Sequence, residues 1–293
     1  MRLYLTLLLS ILLTNTVLGQ EDNKLEEIKR IEKSFSLTDN KHKFFFYWGY
    51  NRSSYTKSDI TLKGPGYNFT LSDVEATDIK QSGFGPNYYN PLLFTIPQFD
   101  IRFGFFINDK YAIGAGWDHM KYRTKDGSQA VFSGSVDANV SSEYNGYKDG
   151  DLVNIDNSYL RMEHSDGLNV LNFNIERHDL IYSLWSEKVG LKLVSGLGFG
   201  VAMPWTNSIT FGVRNDDRPH FSGVGAHMFI ASEFVFYKRF FARTTLQGGM
   251  VSMWDIAITP KADKSDTHAE QDIWYLERSL VLGYRFYIFP PRN

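Results

Sequence analysis

The sequence predicts an all-β fold: an eight-stranded antiparallel up-and-down β-barrel that crosses a membrane with its strands, preceded by a short N-terminal helix. Three observations predict it. From Lys43 onward apolar residues recur at every second position in stretch after stretch, the period of a strand with two unlike faces. The links between these stretches alternate between tight turns and long loops, as a transmembrane barrel does and a soluble meander has no reason to do. The residues between the apolar ones are rich in Gly and Ala, with isolated charges, which suits a crowded lumen better than a water-washed surface.

Composition is consistent with this. The 293 residues can hold one large or two ordinary domains, and a net charge of −2 gives no electrostatic grip on nucleic acid. The chain has no cysteine, so disulfides and thiolate metal sites are excluded. Its 7 histidines show no ligand spacing, and neither a metal nor a cofactor is expected. Aromatic residues make up 16% of the chain, with no apolar run long enough for a spanning helix.

The elements follow in order. Residues 1–19 read as a secretory signal peptide, with Arg2 before the apolar run Leu3–Leu13 and a small residue, Gly19, before Gln20 and Glu21. Residues 20–42 read as a periplasmic helix or linker: Leu25, Ile28, Ile31 and Phe35 fall at helical spacing, and Glu26 with Arg30 forms an i,i+4 pair. The barrel is assigned to 43–289 and a tail to 290–293. Its strands lie within 44–50, 94–108, 110–123, 168–185, 188–205, 221–236, 240–254 and 273–289. "IND", "SEK" and "YKR" make tight turns, whereas 52–93, 124–167, 206–220 and 257–272 make four long extracellular loops.

Energetics assigns the charges. An Arg or Lys facing lipid costs about 2–4 kcal/mol at the midplane. Asp100, Arg102, Asp118, Glu176, Lys192, His227, Glu233, Arg243, Glu277 and Arg285 are therefore placed in the lumen as a polar network. Eight strands enclose only enough room for their own side chains, so a plugged lumen is expected. The alternation breaks at Arg177–Asp179 and at Arg278, where a bulge or the headgroup region must intervene. Aromatics gather in two girdles: Phe44, Phe105, Phe106, Tyr182, Trp185, Phe236, Tyr237, Phe240 and Phe241 near the turns, and Trp205, Trp254 and Trp274 near the loops.

The last strand, "LVLGYRF", resembles the C-terminal assembly signal of outer-membrane barrels, with Leu280, Leu282, Tyr284 and Phe286 on alternate positions. The chain nevertheless continues to Asn293. Over 43–289 the pattern resembles small outer-membrane barrels such as the transmembrane domain of outer membrane protein A. "FTIPQFDIRFGFF" and "GWDHMKY" are similar to uncharacterised barrels of Bacteroidota. The resemblance implies the outer membrane of a Gram-negative bacterium, contact with outer-membrane lipid and lipopolysaccharide, insertion by the barrel assembly machinery, and a monomer.

Two enzymatic precedents exist on such barrels, lipid A deacylases and palmitoyltransferases. The deacylases use a His and a Ser two positions apart. Here His119 is followed at that spacing by Lys121, so His119 is a weak catalytic candidate and no catalytic residue is assigned. His164, His220 and His268 are read as separate, exposed loop residues. The loop stretches "KGPGYNF", "GFGPNYYNPL", "SSEYNGYKDG" and "RNDDRPH" combine Tyr, Asn, Asp and Gly, which suits contact with a surface glycan or protein ligand. The sequence thus points to a structural or surface-binding barrel, with a lipid-modifying enzyme and a narrow channel as the alternatives.

Overall fold

The computed structural model describes residues 37–79, 85–89, 97–185, 188–216, 219–258 and 267–288. The signal peptide, the helical stretch before Leu37 and the tail 290–293 lie outside the described residues. Eight long strands carry the barrel. They are β1 (Phe44–Tyr55), β5 (Phe99–Phe106), β6 (Tyr111–Thr124), β9 (Leu160–Leu184), β10 (Val189–Ala202), β13 (Gly223–Phe236), β14 (Phe240–Ala257) and β15 (His268–Phe286). Each pairs antiparallel with its neighbours in chain order, and β1 pairs with β15 from Phe44↔Phe286 to Tyr55↔Tyr275, which closes the ring. Closure removes every edge within the barrel, the condition a sheet must meet to cross lipid.

Strand β13 shows which face is wet. Its 14 residues alternate strictly between buried and exposed. Val224, Met228, Ile230 and Phe234 are the exposed ones, whereas His227 and Glu233 are buried. A barrel in water would reverse this order. Apolar side chains outside and charges inside require a hydrocarbon solvent around the barrel. No helix among the described residues is long and apolar enough to cross a membrane.

Residues 37–42 are not helical, nor are they a free linker. Leu37 is buried in the turn-end mouth with Phe45, Phe106, Ala112, Val235, Phe241 and Val281. The Asn40 and Lys41 amides donate to Asp109 Oδ1 at 3.0 and 3.1 Å, tying the segment to the β5–β6 turn.

The loops depart most from expectation. The first contains β2 (Ser58–Gly64), β3 (Tyr67–Val74), β4 (Ala76–Thr77) and a one-turn helix α1 (Pro86–Tyr89). The second contains β7 (Gln129–Val136) and β8 (Gly146–Asn154), and the third β11 (Asn207–Thr210) and β12 (Val213–Asp216). Strand β15 runs on past the barrel and pairs with β2, extending a sheet in the order β15-β2-β3-β7-β8. Strand β9 runs on likewise and pairs with β11. The loop end is thus a folded β cap built on overlong barrel strands. Its outermost strand β8 is blunted against further pairing by Lys148, Asp149 and Asp151, and by a register shift opposite Phe132/Ser133.

Candidate functional site

The barrel interior is layered. Above the apolar plug at the turn end comes a charged belt. Glu233 accepts from Arg243 Nε at 3.1 Å and Nη2 at 2.8 Å, and also from Arg285 Nη2. Arg243 Nη1 reaches Glu176 Oε2 at 3.1 Å, and His178 Nε2 lies 3.1 Å from the same oxygen. The Arg243 guanidinium also lies 4.9 Å from the Tyr47 ring centroid, and that of Arg285 5.1 Å from the Phe241 ring. Lys192 Nζ donates to Asn40 Oδ1 at 3.2 Å, so the N-terminal segment is part of the belt.

A second polar layer lies nearer the loops. Arg102 Nη2 donates to Asp118 Oδ1 at 2.7 Å, and Gln247 Nε2 to Asp118 Oδ2 at 3.2 Å. Asn51 Nδ2 donates to Asp100 Oδ1 at 2.6 Å, and His227 Nε2 lies 2.7 Å from Asn174 Oδ1. Glu277 is buried alongside. Inward glycines make room for these large groups: a Cβ on Gly116 would fall 2.5 Å from Arg102 Nε, and one on Gly249 2.6 Å from the Tyr275 ring. The small residues of the polar rows are therefore steric complements of the ions, and side chains fill the lumen.

All ten residues assigned to the lumen from the sequence are buried. Asn172, Asn174 and Gln247 stand on the polar rows read from the sequence, whereas sequence reasoning missed His178, Tyr47 and Tyr275. The signal was available, because each lies on the inward parity of its own strand. Two girdle assignments are corrected. Phe106 and Phe241 point inward into the plug, because each is one position out of step with the lipid-facing row, whereas Trp185, Tyr237 and Phe240 are exposed as expected. At Arg177–Asp179 the strand keeps its alternation, with His178 inward and Arg177 outward, and the bulge lies just beyond them at Ile181. Arg177 stands on the regular outward row and pairs with Asp179 at 2.7 Å, beside Lys110 of the β5–β6 turn.

His119 does not resemble a catalytic base open to substrate. It is 1% exposed, its ring stacks on Phe99 at 4.8 Å between centroids, and Nδ1 lies 2.7 Å from Asn169 Oδ1. The same Asn169 oxygen accepts from Trp117 Nε1 at 2.8 Å, so the group ties β6 to β9 at the top of the wall. Of the loop histidines, His164 is not exposed: it is buried in the cap with Nδ1 2.9 Å from Thr206 Oγ1, because β9 continues as a strand there. Burial pushes its imidazole down to about 4. No group of three potential metal ligands occurs among the described residues.

Above the polar layers the inward rows turn apolar. Met120, Tyr122, Leu168, Val170, Val251, Met253 and Ile273 of the barrel strands join Ile60, Leu62, Phe69, Leu71 and Phe132 of the inserted strands in one core. Phe69 and Phe132 stack at 4.6 Å, and Phe132 continues to Tyr144 at 5.9 Å. Tyrosines of the loop stretches therefore divide. Tyr144 is core and Tyr67 is packed on Phe211, whereas Tyr147 on β8 stands in water. Leu152 and Val213 are exposed on the same cap.

No protein-family model and no curated protein matches the chain. Among solved structures it is similar to the outer membrane protein OprG from Pseudomonas aeruginosa, at 9% identity over 85% of this chain and 97% of that one, with a TM-score of 0.38. It is also similar to the outer membrane protein AlkL in DMPC lipid bilayers, at 9% identity over 87% and 94% of the two chains, with a TM-score of 0.40. A third likeness is to Ail, the attachment invasion locus protein of Yersinia pestis, at 10% identity over 84% and 99%, with a TM-score of 0.30. Likenesses this distant bear on neither ligand nor activity, and the assignment stands on the closed strand pairing and the inverted burial. The chain forms an outer-membrane-type β-barrel. The short turns lie at one end of the barrel and the folded cap at the other.

Proposed function

We propose that this protein is a plugged barrel in the outer membrane of a Gram-negative bacterium, reaching it after signal-peptide cleavage and inserting through the barrel assembly machinery. Its Leu280–Phe286 strand would serve as the assembly signal. It acts as a monomer and as a surface-binding or structural protein, through its extracellular cap. One observation carries this reading: the lumen is filled by paired charges, while the loop connections spend their length on a folded cap with a core of its own. A rigid cap that leaves Tyr147 and Leu152 in water is the part of the molecule able to meet a glycan or protein. The lipid-modifying alternative has no matching support, since the His119 ring is covered and held by Asn169.

Lipid A from cells with and without the protein should give the same mass spectrum, and a gain or loss of one acyl chain would overturn the proposal in favour of an enzyme. In planar bilayers the purified barrel should conduct no more than protein-free lipid. A defined array of surface glycans and extracellular-matrix proteins should then yield a ligand whose binding weakens in Tyr147→Ala and Leu152→Ala. Ligand binding unaffected by both changes would move the site off this face of the cap.

A further inference from the structure

The outer wall carries one feature outside the plug, where the first inserted loop meets the barrel strands. On the outer face where β1 meets β15, Arg52 and Arg278 are Cα partners across the two strands. Like charges set directly opposite one another destabilise a sheet unless a counter-charge lies between them. The protein supplies one carboxylate nearby, with Asp78 Oδ2 3.7 Å from Arg52 Nη1, and Asp78 also accepts from Gln98 Nε2. Arg52 Nη2 donates to the Tyr88 hydroxyl at 3.1 Å. Arg278 Nη2 donates to Ser54 Oγ at 3.1 Å, and among the described residues no carboxylate reaches it. The pair therefore keeps a surplus positive charge on the outer face of the wall, beside Asp78 and Tyr88 of the first loop.

The surroundings suit one kind of occupant. The two guanidiniums line a cavity of about 930 Å³ together with Tyr50, Ser54, Asp78, Tyr88 and Leu280, two cations against one carboxylate. Along β15, Trp274 lies four residues nearer the cap, and Leu280 and Leu282 lie on the side of the bilayer centre, all on the same outward row. At about 3.3 Å per residue and a tilt near 40°, Arg278 sits roughly 10 Å below Trp274, at the boundary of headgroups and acyl chains. Arginine forks match phosphate oxygens two at a time. We propose that the Arg52–Arg278 pocket binds the phosphomonoester headgroup of an outer-leaflet lipid, with the acyl chains lying down the wall over Leu280 and Leu282. This rests on the membrane-barrel reading and gives the barrel wall a lipid specificity that a plain apolar belt lacks.

The test uses the exported protein in detergent, titrated with phosphatidic acid, with phosphatidylcholine and with inorganic phosphate, and read by native mass spectrometry. Phosphatidic acid should be retained at least about tenfold more tightly than phosphatidylcholine, and inorganic phosphate should not displace it. Arg52→Gln/Arg278→Gln should erase the preference, while Arg177→Gln near the periplasmic turns should keep it. If the double variant fails to fold, Arg278→Leu, which suits a lipid-facing position, should fold and still lose most of the preference. Equal retention of the two lipids, an unchanged preference in the variants, or binding that inorganic phosphate abolishes would each overturn the proposal. Insertion into vesicles is scored separately: a protein that inserts but ignores lipid phosphate sinks this site alone, whereas one that never inserts sinks the membrane barrel with it.

Discussion

The barrel and the cap are built largely on the same strands, yet they are inside-out relative to each other. On β15 the inward row passes from Arg285 and Glu277 at bilayer depth to Ile273 and Ala269 in the cap, while the outward row passes from Leu282 and Leu280 to Asp272 and Glu270. Strand β9 does the same, from inward Glu176, Asn174 and Asn172 to Val170 and Leu168. Side-chain parity is continuous through the change on β15, and on β9 as far as Leu168, beyond which the register with β6 shifts. In lipid the outside must be apolar and the interior can hold ions that satisfy one another. In water the apolar residues must go inside. The difference teaches that a residue's exposure has no meaning for stability until the solvent it is exposed to is known.

The charged belt gives the sharpest way to break the comparison. Glu233→Ala leaves Arg243 and Arg285 without their shared carboxylate, and removing one partner of a buried ion cluster costs about 3–5 kcal/mol. Denaturant unfolding of the barrel in lipid vesicles should show a loss of that size, and a loss below about 1 kcal/mol would mean that the belt is solvated.

A matched pair of substitutions tests the two solvents directly. Leu282 on the barrel is 69% exposed and Leu152 on the cap is 68% exposed. Leu282→Arg, between the turn-end girdle and the midplane, should cost about 1–3 kcal/mol. Leu152→Arg should stay within about 0.5 kcal/mol, because it meets water before and after. Equal effects at the two positions would place them in one solvent and undo the assignment of barrel and cap.

The smallest effect concerns the cap and pH. His164 protonates near 6.5 when unfolded and at about 4 when buried, so the unfolded cap binds the extra proton between those values. Cap stability is therefore complete above about 6.5 and falls as pH drops toward 4, by at most about 3 kcal/mol. Hydrogen exchange of β2, β3 and β11 amides, corrected for intrinsic rates, should speed up over that interval, and His164→Gln should flatten the response. A variant as pH-sensitive as the parent would assign the effect to other groups.

How far the sequence could be read depended on the separation of the interacting residues. The period of two, the tight turns at 107–110 and 237–239, and the inward row containing Asp100, Arg102 and Glu233 are all local properties. Each is settled within a few residues by the pleat and by the cost of charge in lipid. The arrangement Glu233–Arg243–Glu176–His178 draws on three strands, and nothing in any one strand specifies which carboxylate Arg243 meets. The cap was hidden for a different reason. Stretches such as "SDITLKG" and "QAVFSGSV" have weak alternation and abundant Gly and Ser, so they read as loop until β15 offers an edge.

The sequence by itself determined the strand period, the number of crossings, the alternation of short and long connections and the side on which charge must lie, because these follow from pleat geometry and transfer energies residue by residue. Only the tertiary structure decided how the ring closes, which ions share a layer, that the N-terminal segment seals one mouth, and that Arg52 stands opposite Arg278. Those facts depend on the register between strands distant in sequence, and register is fixed by the whole closed sheet at once.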